Sequence, residues 1–159
     1  MRRTGWAAAT ACAAAMAMGG AQLVGAQGQN DDDQRRGRPC SLATIRGDYG
    51  VQIQGTRPAP GGLTESVIGV VLRTYDGRGN IAQVDNVKGS ITGIVPDRQG
   101  FGTYEVSPDC TGIARFQPGP GIFIEEKLVI VDNGREIRSM VRSPAPVMIT
   151  GVHQRIHTR

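Results

Sequence analysis

Short segments of strand periodicity, separated by turn-forming residues, follow one another from residue 40 almost to the end of the chain. Tyr49, Val51 and Ile53 alternate with glycine or glutamine, which places them on one face of a strand. Asn133-Gly134 is a strong hairpin signal because both residues accept a positive φ. Further strand-like segments are 66–75, 81–95 with a break at Lys88-Gly89, 101–106, 112–116, 122–131, 135–142 and 147–156.

This pattern predicts an all-β fold of about eight strands, with one helical turn at residues 40–46 and a loop at Thr56–Gly62. Eight sequential antiparallel strands suit an up-and-down barrel, because closure removes unpaired strand edges. A β-sandwich is the alternative. We expect a single β-barrel domain over residues 40–157.

The first 26 residues are typical of an export signal. Arg2 and Arg3 precede an uncharged apolar run, and Val24-Gly25-Ala26 supplies small residues for cleavage after Ala26. The apolar run is about 13 residues long, which is short of the roughly 20 needed to span a bilayer. We therefore predict a secreted or periplasmic protein with no membrane span after signal cleavage.

Charge and composition narrow the possible partners. The chain has 18 basic and 14 acidic residues, and losing Arg2 and Arg3 leaves 16 against 14, which gives no basis for nucleic-acid binding. Residues 27–39 contain Asp31–Asp33 and several arginines but almost no apolar side chain, and are predicted to be a disordered leader.

The three cysteines resolve into one pair. Cys12 lies in the export signal, and Cys40 and Cys110 remain in a chain directed to an oxidising compartment, where such a pair would be joined. A bridge between them closes a loop of about 70 residues, which corresponds to roughly 4 kcal/mol of stabilisation in the chain-entropy treatment.

One carboxylate is a weak catalytic candidate. In the segment 122–131, Glu126 falls on the same face as isoleucine and leucine side chains. A carboxylate in the lumen of a barrel is suited to proton transfer or ligand orientation. The alternatives are a bulge that turns Glu126 outward, or a partner such as Arg73 or Arg115.

Metal and cofactor chemistry lack the residues they need. His153 and His157 would lie ~13 Å apart on a strand, too far to bind one metal, and are expected to be exposed and unpaired. No serine lies in a nucleophile elbow and no glycine-rich loop leads into a helix. We predict no metal and no cofactor.

The segment Val67–Leu72 is apolar on both faces. Its outward residues are expected either to be covered by the N-terminal segment or to form a homo-oligomer interface.

Two segments carry a resemblance to a known group. Residues 40–50 (CSLATIRGDYG) and 104–112 (YEVSPDCTG) resemble the motifs C-S-x-A-T-x-x-G-x-Y-G and Y-x-V-x-P-D-C-T-G of a group of secreted bacterial proteins. The hairpin 129–137 (VIVDNGREI) is similar to theirs. The resemblance implies a small barrel of the calycin or allene-oxide-cyclase-like kind with Cys40 bonded to Cys110, and it carries over no catalytic residues.

Three functions fit such a barrel. The first is non-catalytic binding of a small apolar ligand or a surface interaction, which we favour. The others are an isomerase-type enzyme that uses a lumenal carboxylate and a purely structural envelope protein. The contents of the barrel interior distinguish these alternatives.

Overall fold

The computed structural model describes residues 38–156. Its strands are β1 (Gly47–Ala59), β2 (Leu63–Tyr75), β3 (Asn80–Gly89), β4 (Gly93–Val106), β5 (Thr111–Gly119), β6 (Ile122–Val131), β7 (Glu136–Ser143) and β8 (Met148–Arg155). Each strand pairs antiparallel with the next in sequence, and β8 pairs with β1, which closes the barrel. The predicted eight-stranded up-and-down barrel is confirmed, and the sandwich alternative is wrong. Several predictions concern residues outside the described range. They are the export signal with Cys12, the leader except for its last two residues, and His157.

The predicted turn after β6 is confirmed. Asp132, Asn133 and Gly134 form a short 3₁₀ turn, and all three have a positive φ, of 49°, 52° and 79°. Asparagine and glycine tolerate this left-handed region better than other residues do, so the sequence suits the turn between β6 and β7.

The predicted loop Thr56–Gly62 is wrong over its first four residues. Thr56–Ala59 continue β1 and pair with β2 up to the Ala59–Leu63 position, so only Pro60–Gly62 form the connection. Beyond Thr56 the strand has β2 as its only neighbour, because the pairing with β8 ends there. Pro58 can therefore lie in the strand without removing a hydrogen bond on the free side.

The segment 81–95 divides into two strands at the predicted break. The chain turns between Gly89 and Gly93, and β4 then runs on to Val106 without interruption. Ile91 lies inside this turn, so hydropathy alone does not mark the turn. A register shift around Asn86 accommodates Pro96 within β4.

One end of the barrel is closed by a segment that we call the plug (residues 40–46), which contains the 3₁₀ turn Leu42–Ile45. Ile45 is fully buried in a cluster with Tyr49, Tyr75 and Tyr104. Tyr75 packs edge-to-face against both other tyrosines, with ring centroids 5.4 and 5.0 Å apart. The helical turn predicted at 40–46 is thus confirmed, over Leu42–Ile45, and the structure places it across the closed end.

A disulfide fixes the plug. Cys40 and Cys110 are bonded, with Cα atoms 4.9 Å apart, which ties the plug to the connection between β4 and β5. The Cys40 N–H also donates to the Pro108 carbonyl at 3.1 Å. The predicted disulfide is confirmed.

The two faces of Val67–Leu72 differ in burial. Val67 and Val71 point into the barrel and are buried, whereas Ile68, Val70 and Leu72 are at least half exposed on the outside. We call these three residues the outer stripe. The described part of the chain, residues 38–156, does not cover the outer stripe.

Candidate functional site

The half of the barrel away from the plug contains a cavity. It has a volume of about 400 Å³. The cavity opens between the β1–β2, β3–β4, β5–β6 and β7–β8 connections, and we call this opening the mouth. Its walls are mostly aliphatic and aromatic side chains from strands around the barrel. They are Ile53, Val71, Val87, Val95, Phe116, Ile122, Ile124, Val141 and Ile149, with Pro58, Pro118 and Val147 near the mouth.

Glu126 lines this cavity, as the alternation in β6 indicated. The register between β6 and β7 shifts between Glu125 and Glu126, but the bulge leaves Glu126 facing inward. Its Oε2 accepts a hydrogen bond from Arg73 Nη1 at 2.7 Å, and the two side chains are only 6% and 2% exposed. Of the two arginines considered as partners of Glu126, Arg73 is therefore the one that pairs with it. Arg115 lies outside the barrel.

Arg73 is held on three sides. Besides Glu126, its Nε donates to Gln83 Oε1 at 2.9 Å, and its guanidinium lies 4.5 Å from the centre of the Phe116 ring. Burial acts to lower the pKa of Arg73, but the negative charge of Glu126 and the contact with Tyr75 outweigh it, so the pKa is raised. Arg73 therefore keeps its positive charge at the bottom of the cavity, where it is bonded to Glu126.

The hydrogen-bond network continues along β3. Gln83 Nε2 donates to Asp85 Oδ2 at 3.2 Å, and Arg98 from β4 donates to both carboxylate oxygens of Asp85, at 2.9 and 3.1 Å. Arg98 keeps 21% of its side chain exposed, so this second pair lies nearer to solvent than the first.

A third pair lies at the mouth. Arg57 Nε donates to Glu65 Oε1 at 2.7 Å, and the backbone N–H groups of Ile91 and Thr92 donate to Glu65 Oε2 at 3.0 and 2.9 Å. The Thr92 N–H, supported by Arg57, lowers the pKa of Glu65 to about 2, although burial acts in the opposite direction. Through these hydrogen bonds, Glu65 of β2 links the β3–β4 connection to Arg57 of β1.

The expectation that His153 is exposed and unpaired is wrong. Its side chain is fully buried, with Nδ1 3.2 Å from Tyr75 Oη and Nε2 3.0 Å from Ser139 Oγ. Burial, helped by the positive charge of Arg73, holds the pKa of His153 well below 6.5. Burial likewise raises the pKa of Tyr75 to about 12. Both side chains are therefore neutral at ordinary pH and separate the cavity from the packed closed end.

The charges of the cavity balance in pairs. Each of its three arginines is bonded to a carboxylate, and every buried side-chain nitrogen and oxygen in the described residues has a hydrogen-bond partner. Glu126 is hydrogen-bonded to Arg73 at the bottom of the cavity. The site thus combines apolar walls with charged side chains that are bonded to one another.

Neither a metal centre nor a spanning helix is found in the described range. Residues 38–156 contain no cluster of three or more histidine, cysteine, aspartate or glutamate side chains placed to bind a metal ion. Within the same residues, no helix has the length and apolar character needed to cross a membrane.

Most polar residues of the cavity were not predicted from the sequence. Arg73 lies in a segment that is apolar on both faces, so its alternation does not show which face is inward. Gln83 and Asp85 do fall in phase with Ile81 and Val87, but small apolar residues also occupy the opposite face of β3. The sequence signal that could have identified Gln83 and Asp85 is a polar side chain on the same strand face as aliphatic residues, which is the pattern that identified Glu126.

Comparisons of the chain with protein-family models, with curated proteins and with solved structures find no match.

Proposed function

We propose that this protein is a secreted, non-catalytic barrel that binds one small, electrically neutral and mainly apolar molecule in its lumen. The observation that carries this proposal is the cavity of about 400 Å³, with its apolar walls above a floor of paired charges. Binding pockets for small molecules commonly span about 300 to 1,000 Å³ and combine apolar walls with a few fixed polar groups.

The pairing of charges supports a neutral ligand. An anion or cation in the cavity would leave one charge uncompensated in a poorly solvated space, which costs several kcal/mol, on the order of the penalty for any unpaired buried ion. Arg57 and Arg98 are each 21% exposed and face the opening, so they are the groups available to bond a carbonyl or hydroxyl of the ligand.

The competing functions have weaker support. An isomerase would need a free acid or base, whereas Glu126 is bonded to Arg73. A purely structural barrel would be expected to fill its lumen with its own side chains, as the closed end does. Secretion with cleavage near Ala26 remains a proposal, supported by the disulfide, since such bonds persist in oxidising compartments.

A pair of fluorescent probes of different charge tests this function. We expect N-phenylnaphthylamine, which is neutral, to bind at one saturable site per chain, and the anionic anilinonaphthalene sulfonate to bind more weakly. Ile149→Trp, which fills the cavity near the mouth, should reduce binding of the neutral probe at least about tenfold, given the overlap of large apolar groups.

The matched control is Thr150→Trp, one residue further on β8 and outside the barrel. It should bind the neutral probe as the unmodified protein does. Equal binding by both variants, or binding that never saturates, would show that the probe sits on the surface and would overturn the proposal.

Self-association is a second, independent proposal, and the outer stripe favours it. Ile68, Val70 and Leu72 form an exposed aliphatic row, and the adjoining outer surface includes Val152 and Ile156. A contiguous apolar surface of this kind is typical of an interface. Sedimentation of Leu72→Lys against the unmodified protein tests it: an oligomer that the substitution dissociates supports the interface, and a monomer in both cases excludes it.

A further inference from the structure

The four connections around the mouth contain no charged residue. Together with one or two strand residues on each side, they cover residues 59–64, 89–94, 118–123 and 143–148, which consist of glycine, proline, alanine, serine, threonine and large apolar residues. Each connection belongs to a different hairpin, so together they form a ring that we call the mouth ring.

Each connection exposes a large apolar side chain. Leu63, Ile94, Phe123 and Met148 are 56%, 67%, 72% and 71% exposed, and each is the first or second strand residue after one of the four connections. Ile91 and Ile122 add a second exposed side chain on two of them. Exposed apolar groups concentrated at one place on a protein mark a binding surface.

The closed end has the opposite character. Its connections carry Asp76 and Arg78, then Asp109, then Asp132 and Arg135. Counted with the same flanking strand residues, these connections expose one large apolar side chain in the described part of the chain, Val131, which is 37% exposed. The absence of charge is therefore specific to the mouth and is not a general property of the turns in this barrel.

We propose that the mouth ring docks on the surface of a lipid bilayer, with its apolar tips inserted among the lipids. Charged groups resist transfer into the bilayer interface, whereas uncharged loops with phenylalanine, methionine and isoleucine enter it. Lys88 and Arg142 lie just behind the ring with exposed side chains. Arg142 pairs with Glu125 at 3.4 Å, and Lys88 is long enough to reach the lipid headgroups.

The shape of the ring favours a bilayer over a protein partner. The four apolar tips stand around the opening of the cavity, and a fluid surface can enclose tips arranged in this way. The charged groups inside the mouth, Arg57 and Arg98, are bonded to Glu65 and Asp85, so docking would not bury an unpaired charge. Docking in this orientation would place the opening of the cavity against the lipids.

Flotation with vesicles of zwitterionic phosphatidylcholine tests the proposal. The exported form of the protein is used, with its N-terminus checked by mass spectrometry so that no export signal remains. We expect it to float with the vesicles equally in low and high salt, because the contact is apolar. The double variant Phe123→Ser and Met148→Ser should partition at least about tenfold more weakly, since two exposed apolar side chains are lost.

Two control variants separate this proposal from the others. Met140→Ser removes a similarly exposed side chain from the side of the barrel and should float unchanged. Ile149→Trp, which blocks the cavity, should also float, so docking is measured independently of ligand binding. Absence of flotation, flotation lost in high salt, or an equal loss in Met140→Ser overturns the proposal. A change of sedimentation in the double variant without any vesicle binding would assign the ring to a protein contact and overturn it as well.

Discussion

The two ends of the barrel are built from the same eight strands but are filled in different ways. The closed end packs three tyrosines under a plug that a disulfide holds in place. The open end contains a cavity and three pairs of opposite charges. Period-two alternation determines only that a side chain points inward. The two ends differ in which inward residues are aromatic and which are charged, so the closed end is packed and the open end contains a cavity.

The largest expected effect comes from breaking the closed end. Replacing Cys40 and Cys110 together by alanine should lower the free energy of unfolding by about 4 kcal/mol, because the unfolded chain loses a cross-link over 70 residues. Urea unfolding measures this loss. Binding of N-phenylnaphthylamine should persist below the unfolding transition, since the cavity lies at the other end. If that binding disappears while the barrel is still folded, the two ends are not independent.

The next effect comes from breaking the charge network of the open end. Arg73→Met should lower the free energy of unfolding by about 3 kcal/mol or more, because it leaves the buried Glu126 carboxylate unpaired. Its matched control is Arg115→Met on the outside, where Arg115 pairs with Glu105 and Glu125 in solvent. That substitution should cost within about 1 kcal/mol.

A second substitution shows whether the cost of Arg73→Met lies in the unpaired charge. Adding Glu126→Leu to Arg73→Met should recover much of the lost stability, because both buried charges are then absent. Equal losses in Arg73→Met and Arg115→Met would contradict the burial of this pair.

The smallest effect concerns the boundary between the two ends. His153 has a pKa well below 6.5 in the folded barrel, so below pH 6.5 the unfolded chain binds a proton that the folded chain does not. Its contribution to stability is therefore complete above pH 6.5 and is lost as the pH falls, by up to about 1.4 kcal/mol per pH unit. His153→Gln should flatten this slope between pH 6.5 and about 5, above the range in which carboxylates titrate. Parallel slopes in the two proteins would rule out the buried neutral histidine.

The fold could be predicted from the sequence because turn chemistry and alternation agreed with one another. Asn133-Gly134 marked a hairpin, and the aliphatic residues of β6 marked its inward face with Glu126 among them. The boundaries that were wrong have local causes. Thr56–Ala59 contains a proline that a strand with a single neighbour tolerates, and Ile91 gives a turn the hydropathy of a strand.

The site was less predictable because β2 and β8 are apolar on both faces. On β8, His153 shares the inward face with Ile149, whereas Met148 and Val152 point outward, so neither face is marked as buried. The pairing of Glu126 with Arg73 joins residues 53 positions apart in sequence and depends on closure of the barrel. Such contacts follow from the three-dimensional arrangement of strands and not from any local spacing.

Closure between the first and last strands also has a consequence for how the chain folds. Seven of the strand pairings join neighbours in sequence and can form as local hairpins, which takes microseconds. The eighth brings Tyr49 beside Arg155, 106 residues later, and contacts at such separation form slowly. Until residues 148–155 are in place, β1 and β7 each present an unpaired edge to other chains. A chain that ends before β8 is therefore expected to give an open, aggregation-prone sheet and not a smaller barrel.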